Sequence, residues 1–174
     1  PADAKPGKLR AIERTGATVR KIEGDRAAVT DACVDAVEGT DAAWYASHAW
    51  NPAFFEGTAT MAYEIAAQRD WSAPDAVVTP LGHGTLFLGA YRGFRRLVDA
   101  GWIDEMPRLY GVQAAGVAPI VAQRHGEAAA AGANDLADGI QITAPAQQRA
   151  IHEAIEQSGG DAIAVDAETT AAEY

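Results

Sequence analysis

The 174-residue sequence has one cysteine, three lysines and no long hydrophobic run. Because a single thiol cannot pair within the chain, an internal disulfide framework is excluded and a reducing, cytoplasmic location is expected. Cys33 lies in an apolar pattern with helical spacing, which predicts a buried structural thiol and not a nucleophile. No stretch approaches the roughly 20 apolar residues of a membrane-spanning helix, so no membrane association is expected.

Positive charge is scarce as well. The chain has 24 acidic residues against 14 basic ones, and its formal net charge is −10. So few positive side chains cannot form a basic surface, which excludes nucleic acid as an expected partner. An acidic, lysine-poor chain with 40 alanines is typical of halophile-like proteins, in which salt screens the repulsion between acids. A GC-rich genome would give the same alanine and arginine bias, and both explanations stay open.

Metal-ligand spacing is also missing. His48, His125 and His152 show no spacing to each other, or to Cys33, that a metal centre requires. We therefore expect no metal site.

The patterns that are present alternate along the chain. Short runs of β-branched or aromatic residues predict strands at 18–22, 44–47, 76–79, 109–112, 139–143 and 163–165. Apolar residues at helical spacing predict helices at 8–15, 26–38, 58–68, 86–100, 118–127, 145–158 and 168–174. This alternation predicts an α/β fold, with an open, mostly parallel sheet and helices on both faces.

The most informative segment is the corner between the strand at 76–79 and the following helix. Gly82 and Gly84 stand on either side of His83, directly before that helix. Glycine allows positive φ and a close ligand approach, and the free N–H groups at a helix start attract anions. An anion site and a plain structural turn both explain the pattern. No lysine follows the glycines, so a P-loop for nucleoside triphosphates is not expected.

Several motifs in residues 51–120 together resemble one enzyme family. They are Asn-Pro at 51–52, Glu-Gly-Thr at 56–58, Ala-Tyr-Glu-Ile at 62–65, Gly-His-Gly-Thr at 82–85, Gly-Val-Gln-Ala at 111–114 and Ala-Pro-Ile at 118–120. In this order they resemble pyridoxal-phosphate (PLP) dependent enzymes of the tryptophan-synthase-β fold type, and within them the threonine synthases. Residues 137–140, Ala-Asp-Gly-Ile, are more similar to the threonine and serine dehydratases.

The resemblance implies a two-lobed PLP enzyme of fold type II. Residues 1–48 would be the tail of the smaller lobe, and residues 49–174 most of the larger lobe, truncated at its C-terminus. It also implies PLP as the cofactor, with its phosphate held by Gly82, His83, Gly84, Thr85 and Leu86. Because the family usually has asparagine at the position of His83, a side-chain bond to phosphate and a solvent-facing imidazole are both open there.

Four further residues are implied as contacts of the substrate or of the cofactor ring, and each has a structural alternative. For Asn51 we favour the alternative, an Asx turn. For Phe54 the alternative is packing in the core or between lobes, which is the commoner role of paired aromatic residues. Gln113 would equally be a satisfied polar group at a strand end. Gly139 would equally form a bulge or a turn.

The family's Schiff-base lysine belongs to a segment upstream of the matched motifs. Lys5, Lys8 and Lys21 match other positions, so no catalytic residue is assigned and a fragment is expected. The resemblance implies a PLP-dependent lyase or synthase with a small amino-acid substrate, most closely a threonine synthase acting on O-phosphohomoserine. A threonine or serine dehydratase and a non-catalytic α/β phosphate-binding module are the alternatives, and a homodimer is left open.

Overall fold

The computed structural model describes residues 1–173, which form two compact units. The first unit is Pro1–Ala46 and the second begins at Ser47. The first unit contains α1 (Pro6–Glu13) and α2 (Arg26–Glu38). The predicted assignment of residues 1–48 to a smaller lobe stays a prediction.

The second unit alternates strands and helices as predicted. Its elements are α3 (Pro52–Gln68), β1 (Ala76–Pro80), α4 (Thr85–Asp99), β2 (Arg108–Ala114), α5 (Pro119–His125), α6 (Glu127–Ala130), a 3-10 helix (Asp135–Ile140), α7 (Gln148–Ser158), β3 (Asp161–Val165) and α8 (Ala167–Ala172). This order confirms the α/β class. Within the described residues, no helix is long and apolar enough to cross a membrane.

The three strands form an open parallel sheet in the order β1-β2-β3. Because the strands run in one direction, their carboxyl ends lie at one edge, where open α/β sheets bind ligands. Leu109 lies on the face of the sheet that is buried under the helices, whereas Val78 and Ile163 lie on the opposite face and are exposed. The segments that follow β1 and β2 lie at the carboxyl edge of the sheet, where a ligand would bind.

Helices α3 and α4 pack side by side and run parallel. An added Cβ on Gly89 would lie 2.6 Å from Cβ of Thr58, and an added Cβ on Gly93 would lie 2.6 Å from Cβ of Ala62. From the first contact to the second, the position moves four residues towards the C-terminus in both helices. The two helices therefore run in the same direction. Their N-termini consequently lie at the same end, beside the carboxyl edge of β1.

Side chains of α4 provide much of the core. Ala90, Phe94 and Leu97 lie about one turn apart on one side of α4 and are buried, together with Phe87 and Leu88. Leu86 is only half-buried, because it lies in the first turn beside the glycine corner.

Three predicted strands are wrong. Residues 18–22 and 44–47 are irregular, and residues 139–143 include the end of the 3-10 helix. A β-branched or aromatic run makes a strand only where a neighbouring strand satisfies its backbone groups, and the described residues give these runs no such ladder. The 3-10 helix is favoured locally, because the side chain of Asn134 accepts a hydrogen bond from the Ala137 N–H at 3.2 Å.

The start of α3 and the burial of Cys33 also differ from expectation. Asn51 caps α3 and Pro52 occupies its first turn, so the helix begins six residues before the predicted Thr58. The thiol of Cys33 is exposed, and the prediction of a buried thiol is wrong. The first unit is small, and small units bury a lower share of their apolar side chains.

Candidate functional site

The corner between β1 and α4 forms the floor of the candidate site. Gly84 is the N-cap residue of α4 and has a left-handed backbone with φ of 85°. No side chain caps this helix start. The N–H groups in the first turn of a helix have no partner within the helix, so they are available to an anion.

Two isoleucines support the corner from behind. An added Cβ on Gly84 would lie 2.6 Å from Cδ1 of Ile151, and an added Cβ on Gly82 would lie 3.2 Å from Cγ1 of Ile142. The same position on Gly82 lies 3.7 Å from the carbonyl oxygen of Gly139. The structure thus brings Gly139 beside the predicted phosphate loop, although its contact with a cofactor ring stays a prediction.

The N-terminus of α3 is tied to that of α4 by hydrogen bonds. The hydroxyl of Thr85 donates to the carbonyl oxygen of His48 at 3.3 Å, and the hydroxyl of Thr58 donates to the carbonyl oxygen of Thr85 at 3.0 Å. The positive ends of two helix dipoles therefore lie on the same side of the unit. This arrangement favours a negative ligand between or beside them.

Asn51 has one satisfied and one unsatisfied end. Its Oδ1 accepts a hydrogen bond from the Ala53 N–H at 3.0 Å, which is the Asx geometry expected of a cap. Its Nδ2 is buried and meets no acceptor among the described residues. A buried amide donor without an acceptor is costly, so an acceptor supplied by a ligand would stabilise it.

Three rings lie in a row next to the cap of α3. The centroid of the His48 ring is 6.4 Å from that of Phe54 and 5.7 Å from that of His83, both edge-to-face. Phe54 is 41% exposed, so it is not a core residue. No pattern in the sequence marks His48 as a neighbour of the glycine loop, because the contact depends on the packing of α3 against α4. Among the described residues, no group of three possible metal ligands occurs.

Two arginines of α4 hold α3 in place. Arg96 donates hydrogen bonds to both carboxylate oxygens of Glu56, at 2.5 and 2.8 Å. The bond from this guanidinium lowers the pKa of Glu56 below its ordinary value. The guanidinium of Arg92 lies 4.5 Å from the centroid of the Phe55 ring. These contacts keep the two helices, and so their N-termini, in register.

Gln113 lies beneath the site and is completely buried. Its Oε1 accepts hydrogen bonds from the N–H groups of Ile120 and Val121, at 2.9 and 3.2 Å, at the start of α5. Its Nε2 donates to the carbonyl oxygen of Leu81 at 3.4 Å. These bonds match the structural alternative, in which Gln113 is a satisfied polar group. Its contact with a substrate stays a prediction.

Replacing Gln113 by leucine is expected to lower the free energy of unfolding by about 2 kcal/mol, because two buried N–H groups lose their acceptor. Urea unfolding monitored by circular dichroism would measure the change. Gln68→Leu is the matched control, since Gln68 is exposed and bonds only the Glu64 side chain. Equal free energies for the two variants would contradict the structural role of Gln113.

The comparisons with known proteins agree with one another. The profile of a family described as pyridoxal-phosphate dependent enzyme matches residues 1–173. A threonine synthase from Methanocaldococcus jannaschii is 33% identical over 170 residues, which cover 91% of this chain and 40% of that protein. A threonine synthase from Methanosarcina acetivorans is 35% identical over 134 residues, covering 74% of this chain and 33% of that protein. A threonine synthase from Mycobacterium bovis is 34% identical over 127 residues, which cover 71% of this chain and 33% of that protein. The chain therefore spans less than half the length of these relatives.

Proposed function

Because the chain belongs to the family of pyridoxal-phosphate dependent enzymes, we propose that it is part of a threonine synthase and that residues 82–86 hold the phosphate of the cofactor. The glycine-capped start of α4 at the carboxyl edge of the sheet carries this proposal. Threonine synthases at 33% and 35% identity support the choice of reaction. The substrate would be O-phosphohomoserine.

The residues at the site fit the cofactor. Gly84 has no side chain, which allows its left-handed backbone and its close packing against Ile151, and this geometry leaves the N–H groups of the first turn of α4 uncapped for a phosphate group. The parallel start of α3 adds a second helix dipole. The buried Nδ2 of Asn51 is a hydrogen-bond donor that has no acceptor among the described residues. Phosphate oxygens are strong acceptors, so the site and the ligand are complementary.

The chain's own residues would bind and orient the cofactor. The N–H groups of residues 82–86 would take the phosphate, and Asn51 would donate to an oxygen of the bound ligand. Gly139, beside the loop, would leave room for the face of the cofactor ring. When bound, PLP supplies an electron sink for reactions at the α-carbon of an amino acid. Residues 1–48 would belong to the smaller lobe, and those from 49 onwards to the larger one.

A dehydratase acting on threonine or serine is the second candidate. It is favoured by Ala-Asp-Gly-Ile at residues 137–140, the one motif that is more similar to that branch. Product analysis of the whole enzyme separates the two activities. A threonine synthase forms threonine and inorganic phosphate from O-phosphohomoserine, whereas a dehydratase forms ammonia and a 2-oxo acid from threonine or serine.

Titration of the chain with PLP tests the phosphate site directly. We expect PLP to bind saturably and inorganic phosphate to displace it. Pyridoxal, which has no phosphate, should bind at least about tenfold more weakly, because hydrogen bonds to a charged group contribute about 1.5–3 kcal/mol. Absorbance of the cofactor and isothermal titration calorimetry would measure it. Equal affinities for PLP and pyridoxal would show that residues 82–86 do not hold the phosphate.

A further inference from the structure

We propose that His48 is a further binding residue of the phosphate site, and that its imidazole donates a hydrogen bond to the cofactor phosphate beside His83. The inference rests on the proposed function, because it requires a phosphate group at the start of α4. It adds a residue that lies outside the glycine loop and before the cap of α3.

The ring of His48 lies next to the loop that would hold the phosphate. Its centroid is 5.7 Å from that of His83, and the two ring planes make an angle of 77°. His83 stands between Gly82 and Gly84, directly before the first turn of α4.

The backbone that carries His48 is fixed by three hydrogen bonds. Its own carbonyl oxygen accepts from the Thr85 hydroxyl at 3.3 Å, and the carbonyl oxygen of Ala49 accepts from Nε2 of Gln147 at 3.2 Å. The carbonyl oxygen of Ser47 accepts from the Asn51 N–H at 2.9 Å. One of these anchors, Thr85, is itself a residue of the phosphate loop. Since the segment is already ordered, binding through His48 would cost little conformational entropy.

Packing alone does not explain the position of the ring. His48 is exposed, so burial of its ring contributes little to folding. Its edge-to-face contact keeps it against His83 even though solvent is accessible on its other side. The ring of His48 is therefore accessible to a ligand bound at the glycine loop.

The three arginines of α4 already contact other side chains. The sequence has no lysine after Lys21. Arg92 lies over Phe55 and Arg96 binds Glu56. Arg95 donates to the hydroxyl of Tyr91 and to Gln157. The imidazoles of His48 and His83 lie beside the start of α4, and they offer N–H donors for phosphate oxygens.

Calorimetric titration of the 174-residue chain, its His48→Phe variant and a control variant tests the inference, because phenylalanine keeps a ring at this position and has no N–H donor. The control is His125→Phe, since His125 bonds Asp161 at the opposite, amino edge of the sheet. We expect His48→Phe to weaken the binding of PLP and of inorganic phosphate by about tenfold, the effect of one hydrogen bond to a charged group, and to leave the binding of pyridoxal unchanged. His125→Phe should bind all three ligands as the parent chain does.

Nuclear magnetic resonance gives a readout that is independent of affinity. Addition of inorganic phosphate should shift the imidazole signals of His48 and leave those of His125 in place. Unchanged phosphate affinity in His48→Phe, together with unshifted His48 signals in the parent chain, would overturn this inference and leave the phosphate loop intact. A parent chain that binds neither PLP nor inorganic phosphate would instead overturn the proposed function, and this inference with it.

Discussion

Replacing Gly84 by alanine is expected to abolish PLP binding and to lower the free energy of unfolding by about 3 kcal/mol, the sum of a left-handed backbone cost and overpacking. The backbone cost arises because Gly84 has φ of 85°. The overpacking arises because the added Cβ would lie 2.6 Å from Cδ1 and 2.8 Å from Cγ1 of Ile151. Relief of either strain turns the N–H groups at the start of α4 away from the phosphate. Urea unfolding and PLP titration would measure the two effects.

Gly101→Ala is the matched control for this variant. Gly101 also has a positive φ, of 71°, but an added Cβ there would meet nothing within 4 Å. Only the backbone cost of about 1–2 kcal/mol applies, and PLP binding should persist. Ile151→Val, which removes Cδ1, should reduce the penalty of Gly84→Ala in a double-mutant cycle. Equal stability and equal PLP affinity for Gly84→Ala and Gly101→Ala would contradict the placement of the phosphate loop at residues 82–86.

The same corner shows what local sequence information can predict. A β-branched run, two glycines and an apolar helical stripe predicted a strand at 76–79 and a helix from residue 86. The structure has β1 at Ala76–Pro80 and α4 from Thr85. Each of these signals acts over a few residues, so it does not depend on distant contacts. The α/β class follows for the same reason.

Strands that require a distant partner were predicted less well. Residues 44–47 begin with two aromatic residues, which are typical of strands, but composition does not reveal whether a neighbouring strand is present. The strand predicted at residues 139–143 is absent because the Asn134 side chain favours a competing local 3-10 turn. The start of α3 was missed since the cap and proline at Asn51 and Pro52 were interpreted as a loop.

The site shows the same division between local and distant information. The glycines at positions 82 and 84 were recognisable from the sequence, whereas the approach of His48 to His83 was not. That contact depends on the parallel packing of α3 and α4, which brings residue 48 to the level of the glycine loop. The bonds of Gln113 to α5 likewise became visible only once β2 was placed next to that helix.

The parallel packing itself leads to the second large expected effect. Gly93→Ala should lower the free energy of unfolding by about 3 kcal/mol, at the upper end of overpacking costs. An added Cβ would lie 2.5 Å from the carbonyl oxygen of Ala59 and 2.6 Å from Cβ of Ala62. A backbone oxygen cannot move aside without its helix, so α3 must shift away from α4. Unfolding in urea would measure the loss of stability.

The shift should also weaken PLP binding, although Gly93 lies two turns beyond the start of α4. Asn51 and His48 are carried by the N-terminal end of α3, so displacement of that helix moves both away from the phosphate loop. Gly57→Ala is the matched control, because Gly57 is in α3 and an added Cβ there would meet nothing. It should raise stability by about 0.4–1 kcal/mol and leave PLP affinity unchanged. A Gly93→Ala variant that is destabilised but binds PLP normally would show that the start of α3 takes no part in holding the cofactor.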